Sequence, residues 1–343
     1  MTRPLVEVDP TTDAEWRAVS TEHGTLFESP PWLASIRDGF GVEVKAVLDP
    51  EARTGFAVGF VDDEIGPRLV ALPFSDYCRP LGVMDMAGWQ RLAGPYLDSK
   101  IPFRMRSRTL DVLTDDERLF ERGRYSWHGV ELRAAEEEQW SGLAPGARQN
   151  VRRARRERVA VSASTGREPL RRFESLHRQL RHMKYRMLSQ PPEYFDALHG
   201  NFGDDLVVLE ATVDEVVVAA VVLLRWRTTA YYKFNASTPE ASPLRANDLL
   251  MWEAIRHATT VWGCGDLDLG LSHLDQPGLL RYKGKYATQT DDIIAWSTVE
   301  TGDETRALIV RDRANELVVR ATADGATTDA LVHASRELYR LFC

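Results

Sequence analysis

Cysteine is scarce in this chain of 343 residues. Cys78, Cys264 and Cys343 are the only three, far apart and odd in number. A disulfide scaffold is excluded, and a reducing compartment is the expected setting. Long apolar runs are missing too. The longest, Val216 to Leu224, falls well short of the ~20 residues a bilayer crossing needs, so no membrane span is expected. The opening MTRPLVEVDP lacks a basic segment followed by an apolar one. No signal peptide is expected, and the chain reads as cytoplasmic. The eight histidines show no HExxH or other paired spacing, which gives no metal site. A GxSxG elbow and a Walker loop are likewise absent.

Lysine is rare as well. Lys45, Lys100, Lys184, Lys233, Lys283 and Lys285 are the only ones among 43 Lys+Arg. A lysine that persists in an arginine-rich chain offers a compact, tunable ammonium that a guanidinium cannot replace. This singles out Lys283 and Lys285.

What is present suits a globular protein: 43% hydrophobic and 27% charged residues, a length of about two domains at roughly 150 residues each, and enough chain for a sizeable core. Global disorder is excluded by the apolar content. Charge is uneven. The formal net charge is -8, yet residues 146–186 hold 13 Lys+Arg against 3 Asp+Glu, a local +10 that leaves -18 on the rest. Such a chain is no general nucleic-acid coat, but it can dock one polyanion at one place. The basic segment centres on Arg148, Arg152, Arg153, Arg155, Arg156 and Arg158 in RQNVRRARRERV, with Val151 and Ala154 as its small apolar positions. Two readings stay open: a solvated helix paired with acidic neighbours such as Glu136, Glu137 and Glu138, or a phosphate-gripping face.

Along residues 1–145, short helices (TDAEWRAVS, PPWLASIRDGF, DMAGWQRLAGPYLDSK) alternate with strands (VEVKAVLD, TGFAVGFVDD, PRLVALPF, PFRMRSRTLDV). Residues 146–300 repeat the rhythm. Leu170, Phe173, Leu176, Leu180, Met183 and Met187 form a helical apolar stripe. PPEYFDALHGNF is a short helix, and three strands follow: DLVVLEAT, EVVVAAVVLLRW and TTAYYKFNAST. The middle one is apolar enough to be covered on both faces. LRANDLLMWEAIRHATTVWG is a long helix ending at glycine, GDLDLG a strand, GLLRYKGKY a helix and DDIIAWSTV a strand. Residues 301–343 read as a helical extension. The expected architecture is α/β with mixed sheets, two copies of one unit packed together.

With these pieces in order, the chain resembles the Fem-like branch of the GNAT acyltransferases, whose members carry two such domains in tandem. The matching segments are LFESPPWLASIRDGFG, LPFSDYCRPLG, ARQNVRRARRERVAV, LRANDLLMWEAIRHA, LDLG and GLLRYKGKYA, over about residues 25–300. The resemblance implies an acceptor-side domain at 1–145 and a donor-side domain at 146–300. It further implies transfer of an acyl group, often an aminoacyl group from charged tRNA, onto an amine of a cell-wall peptide precursor or a peptide-like natural product. A GNAT coenzyme A loop has the form Gln/Arg-x-x-Gly-x-Gly/Ala. The equivalent Arg245-Ala246-Asn247-Asp248-Leu249-Leu250 lacks both glycines and adds a carboxylate. This argues against coenzyme A as cofactor and for charged tRNA as co-substrate; an acyl-coenzyme A N-acyltransferase is the alternative. A non-catalytic tandem domain that only binds peptide or tRNA is the further one.

On the same resemblance Lys283 lies near the acyl carbonyl, as an oxyanion donor, with Lys285 facing phosphate or solvent. Asp76, in the turn PFSDYCRP, borders the acceptor, and Arg37 with Trp32 belongs to the motif that holds an anionic acceptor. Tyr231, Tyr232, Lys233 and Asn235 line the cleft from a strand. Strict alternation pairs Tyr232 with Phe234, or Tyr231 with Lys233 and Asn235, on one face. Asn247 opens the long helix as a cap or as a substrate ligand. Arg148, Arg152, Arg153, Arg155 and Arg156 are the expected tRNA-phosphate contacts.

Overall fold

The computed structural model describes residues 4–108, 110–300, 305–323, 325 and 327–343. β1 (Val6–Val8) leads through α1 (Ala14–His23) and α2 (Pro30–Phe40) to β2 (Val44–Asp49), β3 (Thr54–Val61) and β4 (Arg68–Val70). α3 (Met86–Leu97), β5 (Phe103–Arg108), the short α4 (Asp111–Thr114) and β6 (Phe120–Glu131) follow. α5 (Glu136–Gly142) and the basic α6 (Pro145–Arg156) precede β7 (Ala160–Ser164), α7 (Arg167–Leu180) and α8 (Pro192–Phe202). Next come β8 (Leu206–Val213), β9 (Val216–Trp226), β10 (Thr229–Ser237), the single turn α9 (Ala241–Leu244) and α10 (Ala246–Arg256). β11 (Asp266–His273), α11 (Pro277–Gly284), β12 (Gln289–Ser297), α12 (Thr305–Ala323) and α13 (Thr328–Leu338) complete the chain. Residues 301–304, 324 and 326 of the expected C-terminal extension lie outside the described residues.

One scheme occurs twice: strand, two helices, three strands, helix, strand, helix, strand. β1 to β4 pair antiparallel in sequence order, and β5 joins β4 in parallel. β7 to β10 do the same, and β11 joins β10 in parallel. The sixth strand comes from the other copy's continuation. β12 lies antiparallel to β5, and β6 lies beside β11. The compact units therefore do not follow the boundaries expected at 145 and 300. One comprises residues 1–125, 190–201 and 292–343, the other 126–189 and 202–291. Long-range strand pairing decides this, and no local composition shift announces it. Among the described residues no helix is long and apolar enough to cross a membrane.

In the first unit, α2 starts where the Ser29 side chain accepts the Trp32 N–H, with prolines in the first turn. It ends at Gly41, whose φ of 64° suits glycine. Trp32 is fully buried, edge-on to Phe27 and to Tyr194 of α8. Gly39 lets α8 approach this closely, since a Cβ there would sit 2.6 Å from the Tyr194 backbone.

In the second unit β9 is buried on both faces from Val218 to Leu224, as its β-branched run requires. α10 packs Leu249, Leu250 and Trp252 into the same core as Val151 and Ala154 of α6. The apolar stripe of α7 does not run on to Met183 and Met187. A π-turn at Arg181–Tyr185 rotates the chain, and both methionines are exposed.

Candidate acyl-transfer site

The second unit gathers its polar side chains where β10 and β11 separate. Their ladder is three residues long, Thr229–Tyr231 against Asp266–Asp268, although both strands continue. β10 also carries a bulge. Its register against β9 shifts between Tyr232 and Phe234, so Lys233 is the extra residue. Neither face pairing expected from alternation holds. The bulge puts Tyr232 and Asn235 on one side, where the Asn235 Nδ2 donates to the Tyr232 hydroxyl at 3.1 Å. Tyr231 turns into the core, and the Lys233 ammonium lies over the Phe234 ring.

Asn247 does not cap α10. Arg245 precedes the helix in a left-handed conformation, φ 60°, and no side chain caps the end. Asn247 instead accepts from Asn235 Nδ2 at 3.2 Å and donates to the Ser237 hydroxyl at 3.3 Å. The Tyr282 hydroxyl donates to its carbonyl at 2.8 Å. Asp248, one residue on, is buried. Its carboxylate accepts from the Tyr286 hydroxyl at 2.7 Å and from Asn150 Nδ2 of α6 at 3.1 Å, with Lys285 Nζ at 3.6 Å. Lys285 is thus paired in place. Burial, with Asp248 near, pushes the Tyr232, Tyr282 and Tyr286 hydroxyls well above the usual phenol range. All three act here as neutral hydrogen-bonding groups.

Lys283 sits on α11 at the same end of β11 and is 8% exposed. Its ammonium donates to the carbonyls of Gly270 and Leu271 at 3.0 and 2.9 Å. The two carbonyls are neutral, so they fix the position of the buried ammonium without cancelling its charge. His128 of β6 was not legible as a site residue. It is buried, its Nδ1 has no hydrogen-bond partner, and burial followed by the Lys283 charge holds its pKa below the usual 6.5. His182 and His257 are lowered by burial too, the first with Arg178 and Arg181 near and the second with Arg225. Below pH 6.5 the unfolded chain therefore binds more protons than the folded one. Stability falls as pH drops from there toward the depressed folded values, and is level above. Urea unfolding at pH 7.5 and 5.5 should show this loss, and His128→Gln should reduce it; an identical acid slope in the variant removes His128 from the effect.

The basic helix α6 buries Ala147, Val151 and Ala154 and exposes Arg152, Arg153, Arg155 and Arg156. Arg152 and Arg155 lie over the Trp140 ring, at 5.6 and 5.9 Å. Arg155 also reaches Glu253, and Arg153 reaches Glu157. The acidic partners are thus not the expected Glu136–Glu138; Glu136 pairs with Arg256. Arg148 differs from the rest, because its guanidinium donates to the carbonyls of Ser141 and Leu143 at the α5–α6 turn. It holds the turn rather than the outer face.

The remaining expected site residues lie in the first unit. Trp32 is a core residue rather than a ligand contact; its indole donates to the Ser75 hydroxyl at 2.9 Å. Asp76 follows Ser75 directly and is partly exposed. Arg37 is on the surface with Asp38, Asp9 and Thr11. No cluster of three or more His, Cys, Asp or Glu arranged for a metal occurs among the described residues.

Comparison with known proteins fits this geometry. Residues 145–284 match the profile of the acetyltransferase (GNAT) domain family. The match covers less than half of the chain. Its coordinates superpose on FemX with a TM-score of 0.62 at 14% identity, covering 85% of this chain and 97% of that one. L-PGS from Bacillus licheniformis gives 0.56 at 16% identity, covering 87% and 96%. A tandem GNAT protein from the clavulanic acid biosynthesis pathway gives 0.54 at 10%, covering 87% and 99%. None of the curated proteins matches the sequence. The tandem GNAT fold of these neighbours accounts for the repeated strand scheme.

Proposed function

We propose that the chain is an aminoacyltransferase that takes an aminoacyl group from charged tRNA and forms an amide on an amine-bearing acceptor. The observation that carries this reading is the pairing of α6 with α10. The N-terminus of α10, where a coenzyme A pyrophosphate would need bare backbone N–H groups, has the buried Asp248 carboxylate in its first turn, tied to Tyr286 and Asn150. Directly against it α6 presents Arg152, Arg153, Arg155 and Arg156 to solvent, a face suited to a phosphate backbone.

In the reaction the amine attacks the ester carbonyl. The C–N bond forms, the bond to the terminal ribose oxygen breaks, and the amine proton ends on that oxygen. An aminoacyl ester is reactive, so positioning supplies much of the rate. The Lys283 ammonium stabilises the oxyanion. Asp76 and Arg37 remain the candidates for holding the acceptor.

The GNAT family match favours a second reading, an acyl-coenzyme A N-acyltransferase. One assay separates them. Incubation with a mixture of charged tRNAs should deplete an aminoacyl ester when acceptor amines are supplied, and acetyl-coenzyme A should stay intact. Consumption of acetyl-coenzyme A with charged tRNA untouched installs the second reading.

A further inference from the structure

We propose that His128 is the proton acceptor of the transfer: its Nδ1 takes the proton that the attacking amine must lose and passes it to the leaving group. The assignment rests on the acyl-transfer reading above and holds for either donor. His128 stands on β6, beside β11 in the sheet. The Leu132 N–H donates to the Gly265 carbonyl at 2.8 Å, and the Trp127 indole donates to the Asp268 carboxylate at 2.9 Å. Numbers rise along one strand as they fall along the other, so the two run in opposite directions. That register brings His128 level with Leu269 and Gly270, one strand spacing of about 5 Å away. Gly270 is one of the two residues whose carbonyls hold the Lys283 ammonium. The proton acceptor and the oxyanion donor are therefore neighbours.

Two polar atoms around that ammonium are buried and have no hydrogen-bond partner. One is Nδ1 of His128, which is 5% exposed; the other is the hydroxyl of Ser272, which follows Leu271 and is 1% exposed. Leaving such a group unsatisfied costs about 1–3 kcal/mol, and few buried polar atoms go without a partner. Two of them at one ammonium point to a polar guest, the reacting centre itself. With its proton on Nε2, the neutral imidazole presents a bare lone pair at Nδ1. Burial, then the Lys283 charge, keeps the ring neutral by holding its pKa below the usual 6.5. The other charged groups on the elements beside it are Asp266, Asp268 and His273 of β11, Asp291 of β12 and Lys285 of α11. Asp268 is engaged by Trp127 and the Gly270 N–H, and Lys285 by Asp248. In the reaction the amine nitrogen bonds to the acyl carbon, and the carbonyl oxygen becomes an anion beside Lys283. That anion offsets the ammonium charge, so His128 gains basicity when the new C–N⁺–H must lose its proton. The proton moves to Nδ1 and then to the leaving oxygen, or sulfur for a thioester, as its bond to the acyl carbon breaks.

Turnover of the parent and of His128→Asn tests this, with charged tRNA or acetyl-coenzyme A as donor, whichever the parent consumes. The Asn oxygen can accept a hydrogen bond near the Nδ1 position but takes no proton. A merely structural role is therefore rescued by Asn, and proton transfer is not. His128→Asn, folded by circular dichroism, should turn over about 100-fold slower, the low end for general acid–base help because the ester is already reactive. His128→Gln cannot take the proton either and should be as slow; it serves if the Asn variant does not fold. Ionisation of the acceptor amine affects parent and variant alike, so the ratio of their rates isolates His128. From pH 8 to pH 5 that ratio should fall, since a protonated His128 accepts nothing. Lys283→Met should raise the His128 pKa, read from its ring signals in an NMR titration. Parental turnover in the folded variant, a ratio constant with pH, or a His128 pKa unchanged by Lys283→Met overturns the assignment. Those results leave the acyl-transfer reading standing. A parent that consumes neither donor overturns that reading and the assignment with it.

Discussion

Lys283→Met should lower turnover by about 10²–10³ while donor affinity changes little, the loss typical of removing one oxyanion donor. The structure adds a second consequence. The ammonium also donates to the carbonyls of Gly270 and Leu271, and methionine removes that donor from both. Destabilisation of about 1–3 kcal/mol follows, with a melting midpoint several degrees lower. Activity must therefore be read well below that midpoint, where the variant is folded. Lys283→Arg separates the two roles. Its fork can still donate to the two carbonyls, so stability should be largely kept, but the charge no longer sits at the ammonium position and turnover should stay low. A folded methionine variant with parental turnover would take Lys283 out of the chemistry and leave it as a brace for β11.

The elements with strong periodicity were legible in the sequence: α2 between its prolines and Gly41, the doubly buried β9, and α6 with Val151 and Ala154 as its inner face. Two things were not. β6 has glycines at 123 and 129 and no buried face in its first half, so no alternation marks it, although it supplies the sixth strand of the second unit. The unit boundaries depend on β6 and β12, whose partners are remote in sequence. Within the site the errors are local and physical. Alternation along β10 fails because of the bulge at Lys233. Asn247 resembles a cap by residue type, but the left-handed Arg245 already turns the chain into α10, and Asn247 links β10 to the helix instead. Trp32 belongs to a motif read as acceptor-binding, but it is fully buried and its indole donates to Ser75 inside the core. The Asp248–Tyr286–Asn150 cluster joins three separate segments; the only trace in sequence was that Asp248 sits where the coenzyme A pattern wants small residues.

Replacing the outer arginines of α6 should change how tRNA binding responds to salt. If this face docks on phosphates, affinity should fall steeply with ionic strength, with a log–log slope set by the number neutralised. About 3–5 contacts is the expected order for an acceptor end and one face of a stem. The Arg152→Ala, Arg153→Ala, Arg155→Ala, Arg156→Ala variant should flatten the slope by roughly one unit per lost contact. The structure divides the effect further. Arg153 and Arg155 already reach Glu157 and Glu253; such exposed pairs are weak and exchange for phosphate, with part of the gain cancelled. The Arg152 and Arg156 pair should therefore account for more of the slope than the Arg153 and Arg155 pair. Arg148→Ala should leave the slope alone and lower stability, because its guanidinium holds the Ser141 and Leu143 carbonyls. Transfer from a minimal aminoacylated RNA end, which cannot extend over α6, should be less affected by the quadruple change than transfer from whole tRNA. Filter binding across a salt series checks each part. A parental slope in the quadruple variant would move the polyanion away from α6. Weak salt dependence in the parent itself, with tight binding of an acyl-coenzyme A, would replace charged tRNA as the donor.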